Sequence, residues 1–67
     1  MSSNEVLAML NQLRSEMLKL WIETGKAAQA ETCCVASGHL HYMAEGIEQC
    51  IDLLHKTQNQ VEKDLML

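Results

Sequence analysis

The sequence contains no proline and no phenylalanine, and only one tryptophan, one tyrosine and three glycines in 67 residues. With so few breakers, interruptions of a helix can be sought only around Gly25, Gly38 and Gly46. Basic residues are also few, 5 against 9 acidic for a formal net charge of −4. Arg14, Lys19, Lys26, Lys56 and Lys63 are scattered along the chain, which excludes a basic nucleic-acid arm, so no direct nucleic-acid binding is expected. No apolar run approaches the roughly 18 residues that a membrane span needs. Met-Ser-Ser-Asn-Glu at the start has no basic region ahead of an apolar core, so no secretory leader is expected. The three cysteines form no framework, because the neighbours Cys33 and Cys34 bridge poorly and Cys50 leaves an odd thiol. Together these absences point to a cytoplasmic chain with reduced thiols and no membrane association.

What is present is an apolar fraction of 48%, too high for a disordered tail. The length suits one small domain over residues 1–67. For so short a chain, apolar burial at about 25 cal/mol per Å² roughly balances about 1.5 kcal/mol of lost entropy per ordered residue. A disulfide, a metal or a partner chain is then needed to tip the balance.

Ser2 and Glu5 have the spacing of a capping box, and Ser3 is an alternative cap. Val6, Leu10, Leu13, Met17 and Leu20 then recur at alternating steps of four and three on one helical stripe. Leu7, Met9, Leu18, Trp21 and Ile22 widen that stripe. Gly25, with Thr24 before it and Lys26 after, marks a helix end. The first helix is therefore expected from about 3 to 24, with a turn at about 24–27. The second helix is expected from about 27 to 65, either continuous or broken near 37–38, where Ser37-Gly38 would cap a third helix. Its apolar phase runs through Cys33, Ala36, Leu40, Met43, Ile47, Cys50 or Ile51, Leu54, Val61 and Leu65, interrupted by Gln58. With a turn at Gly25, the first helix ends opposite residue 48 or so. Cys50, Ile51, Leu54, Val61 and Leu65 then overhang and call for a second copy of the hairpin. A break at Ser37-Gly38 would instead match the helix lengths, and each helix would still carry an apolar face wider than one partner covers, so self-association is expected either way. The expected fold is all-α, an antiparallel hairpin or three-helix variant assembling into a dimeric bundle.

The chemistry-bearing residues give weak patterns. Cys33, Cys34, His39 and His41 lack the paired spacing of zinc ligands, since adjacent helical residues point about 100° apart. Asp52 and His55 have a carboxylate-x-x-His spacing, but Asp52 turns away when Ile51 and Leu54 are inside. No glycine-rich turn or oriented base accompanies a cysteine, so neither catalysis nor a cofactor is expected. Buried or half-buried thiols are the simpler reading. The expected interface residues are Leu10, Leu13, Met17, Leu40, Ile47, Ile51, Leu54 and Val61. Trp21 and Tyr42 are candidate partner contacts at the rim.

In length, in the turn at Thr24-Gly25-Lys26 and in the amphipathic runs 6–22 and 40–54, the chain resembles the short helical accessory and regulatory proteins of temperate bacteriophages. It also resembles the small helical co-chaperone of type III secretion needle subunits. The first resemblance implies a non-enzymatic, self-associating interaction module acting on a larger host or phage protein. The second implies a chaperone subunit whose apolar stripe is covered by a different protein. A metal-binding bundle is a third class. A homo-oligomer, with a dimer favoured, and a further protein partner are expected.

Overall fold

A computed structural model describes residues 1–66; Leu67 lies outside the described residues. Two helices form, α1 (Ser3–Ala30, 28 residues) and α2 (Cys34–Leu65, 32 residues), packed against each other, and the described residues contain no third helix. At 1.5 Å per residue they are about 42 and 48 Å long. The hairpin is a rod of 51 × 15 × 14 Å.

The start of α1 follows the expected signal. The Glu5 N–H donates to Ser2 Oγ (3.2 Å), satisfying one open donor of the first turn. The Glu5 carboxylate accepts from the Ser2 hydroxyl (3.2 Å) rather than reaching a backbone N–H as in a full capping box.

The turn is not where Gly25 placed it. The first helix does not end at 24, and α1 continues through Gly25 to Ala30, with no glycine at positive φ among the described residues. Ala27, Ala28 and Ala30 are strong helix formers that carry α1 on, while Thr24 and Ala28 are buried against α2. A left-handed cap at Gly25 would have given up that packing. The connection is instead Glu31, Thr32 and Cys33, with extended backbone at Glu31 and Cys33. The Glu31 N–H closes α1 on Ala27 O (3.0 Å), and Glu31 Oε1 accepts from the Cys33 N–H (3.0 Å).

Nor does α2 break at Ser37-Gly38; the second helix begins at Cys34 rather than near 27 and runs on continuously. Ser37 lies one turn inside it, and its hydroxyl donates to Ala28 O (2.8 Å), one of the open carbonyls ending α1. The serine that resembled a cap for a new helix thus ties α2 to the end of the old one.

Along α2, the inward residues are Ser37, Leu40, Ala44, Ile47, Ile51, Leu54, Gln58 and Val61, at strict alternation of three and four. Ala44 and Ile51 occupy the seam in place of Met43 and Cys50, which are exposed. Gln58 does not interrupt the seam; it is buried within it and donates Nε2–H to Asn11 Oδ1 (2.6 Å). The facing line on α1 is Leu7, Leu10, Met17, Thr24 and Ala28, with Arg14 and Trp21 in phase but more exposed. Buried Thr24 is satisfied by donating to Leu20 O (2.7 Å).

Because α1 is longer than expected, the overhang shrinks to Leu65, which is 44% exposed. Ile51, Leu54 and Val61 are covered within the hairpin. Any case for a second copy must therefore rest on the flanks of the rod.

Candidate interaction face

Two antiparallel helices in contact leave two flanks, and positions equivalent in the repeat share a flank because a local two-fold axis normal to the hairpin relates the helices. One flank is fixed by a groove lined by Ile22, Gly25 and Gln29 of α1 and His41 and Ala44 of α2. Ile22, Gly25, Gln29 and His41 each follow a seam residue. On this side α2 also displays Glu45, Glu48, Asp52, His55 and Glu62, all exposed, so its half of the flank is polar and acidic, while the α1 half shows Leu18 and Ile22 beside polar Asn11, Ser15 and Gln29.

The opposite flank carries the residues that precede seam positions. On α1 these are Val6, Met9, Leu13, Leu20 and Ala27, interrupted by Glu16 and Glu23; on α2 they are Ala36, Met43, Gly46, Cys50 and Leu53, with His39, Thr57 and Gln60 in the same series. Leu13 is 44% exposed, Leu20 50%, Met43 54% and Leu53 65%. At the N-terminal end the flank opens into a groove lined by Met1, Val6, Met9, Leu10 and Leu13, with Gln12 and Glu16 at its polar edge. At 100° per residue this second stripe sits about a quarter turn from the seam on each helix. Each helix therefore bears a second heptad-spaced stripe at nearly a right angle to the seam, apolar for the most part but interrupted on α1 by Glu16 and Glu23, an arrangement akin to that of a helix in a four-helix bundle.

The expected interface residues divide accordingly. Leu10, Met17, Leu40, Ile47, Ile51, Leu54 and Val61 lie in the seam between α1 and α2, where Leu54 is buried and the others half-buried. Leu13 alone of that set lies on the apolar flank. Trp21 sits in seam phase and lines the groove of the polar flank, and Tyr42, 78% exposed, stands on the outer side of α2. The structure does not gather these two aromatics with Leu13. The sequence reading placed Leu20 and Met43 in the core and left Leu53 without a role. The signal that finds them is a second three-and-four series on each helix, 6-9-13-16-20 on α1 and 43-46-50-53-57 on α2, displaced by one residue from the seam.

All three thiols are exposed rather than buried. Cys33 is in the connection, Cys34 opens α2, and Cys50 lies one step outside the seam. Cys33 occupies the N-cap of α2, where the backbone N–H groups of Ala36 and then Val35 favour the thiolate and hold its pKa below the ordinary thiol value. Asp52 and His55 are both exposed on the polar flank. Among the described residues, no three His, Cys, Asp or Glu side chains gather closely enough to hold a metal ion, and no helix is long and apolar enough to cross a membrane. No protein-family model, characterised protein or solved structure matches the chain.

Proposed function

We propose that this chain is a non-enzymatic protein–protein interaction module, a small helical accessory or regulatory protein that self-associates and works through its apolar flank. The observation that carries this reading is the placement of Leu13, Leu20, Met43 and Leu53 on one side of a hairpin in which, among the described residues, only Ala28 and Leu54 of the apolar side chains are buried. A two-helix rod encloses too little apolar surface to offset its ordering entropy, so the exposed flank supplies what the seam lacks. The opposite flank, with its run of carboxylates, keeps the assembled form in solution.

Two charge substitutions test the reading. Leu20→Glu on the apolar flank is expected to abolish assembly, whereas Ile22→Glu on the polar flank leaves it intact, as measured by light scattering on a sizing column. Equal behaviour of the two variants contradicts a working surface on the apolar flank. The co-chaperone reading has the same flank covered by a different protein; it replaces self-association if the chain stays soluble only when such a protein is co-expressed.

A further inference from the structure

We infer that the apolar flank is occupied by a second copy of the chain, docked so that α1 of each copy lies over α2 of the other. The inference rests on the self-associating reading above and specifies its geometry. Its first support is area. A compact monomer of 7.5 kDa has an accessible surface of about 4,250 Å², whereas the hairpin exposes 5219 Å². The excess of roughly 1,000 Å² is close to the ~800 Å² that each partner buries in an interface of standard size.

The second support is shape. The α1 half of the flank is a ridge of large side chains, Leu13 and Leu20 with Met9 beside them. The α2 half holds small residues, Gly46 and Cys50, between Met43 and Leu53. Gly46 has no reason within its own chain to be glycine: its φ is helical, and a Cβ built there would meet nothing within 4 Å. A glycine inside a helix costs about 1 kcal/mol relative to alanine. A leucine of the other copy's α1 fills that notch, and the two-fold relation repeats the contact with the roles reversed.

Charge selects the same pairing. The α1 stripe includes Glu16 and Glu23, while the α2 stripe from Ala36 through Gln60 carries no acidic residue. Packing α1 on its own copy would oppose glutamate to glutamate, whereas packing it on α2 of the other copy avoids that repulsion.

The test compares Gly46→Leu with Gly38→Leu and adds a mixing experiment. Both leucines raise helix propensity, and both glycines have open space around them in the single hairpin. If the flank is the interface, Gly38→Leu keeps the dimer while Gly46→Leu weakens it at least tenfold in dissociation constant by sedimentation. A dimer unchanged or tightened by Gly46→Leu overturns the inference while leaving self-association standing. In the second arm, the native chain is mixed with the Glu16→Lys, Glu23→Lys variant and the dimers are counted by native mass spectrometry. A statistical 1:2:1 distribution supports α1 over α2; a heterodimer in clear excess shows α1 against α1 and overturns it. A native chain that is monomeric throughout overturns the self-associating reading itself.

Discussion

Gln58 shows at the scale of single residues how a polar side chain can sit in an apolar seam. It is buried, and its amide donates to Asn11 across the hairpin. Removing the acceptor leaves the amide buried without a partner, which costs about 1–3 kcal/mol. Asn11→Ala is therefore expected to lower the melting temperature by roughly 4–8 °C for each kcal/mol lost, measured at fixed chain concentration. Gln58→Leu should cost far less, since it removes donor and acceptor demand together. An Asn11→Ala chain that melts like the native one would show that the pair contributes nothing. At Cys33 the fold favours the thiolate, so its pKa in the folded chain lies below that in the unfolded chain. The stabilisation is present above the unfolded pKa and is lost as pH falls through the folded one. In a Cys34→Ser, Cys50→Ser variant, alkylation of Cys33 should reach half its maximum at a lower pH when folded than in urea. Coincident pH profiles would contradict the helix-start effect.

At the scale of elements, the two helices were legible from the three-and-four spacing of apolar residues and from the Ser2–Glu5 cap, but the turn was not. Gly25 is a strong local stop signal, and it lost to the alanines after it and to the burial of Thr24 and Ala28 against α2. Ser37 misled in the same way, because its bond to Ala28 O spans the connection and no local pattern records it. Both points can be checked. Gly25→Ala should raise stability by about 0.5–1 kcal/mol, as at a helix-interior glycine. A loss of stability would place Gly25 at a left-handed position and restore the turn there. Ser37→Ala should lower stability by about 1 kcal/mol by freeing an end carbonyl of α1, read from denaturant melts.

The whole molecule is a rod with a radius of gyration of 15.4 Å, against about 11 Å for a compact domain of its length. The sequence pointed to self-association through an overhang and through apolar faces too wide for one partner helix; in the structure the helices nearly match in length, and the second argument remains, now placed on one flank. Leu13 on that flank was legible. Leu20 and Met43 were not, because a broad apolar face on a single helix does not reveal which of its edges meets the partner helix. Only the pairing of α1 with α2 sets the seam, and with it the stripe left uncovered. The central claim is that this stripe is covered by a second copy. Its most direct test is the solution mass by light scattering on a sizing column, from high concentration down to low micromolar, with reducing agent present to exclude linkage through the exposed thiols. A chain paired through this stripe has the mass of two chains, and wherever dilution lowers that mass toward one chain, helicity is lost with it. A fully helical single chain across the whole range would contradict it.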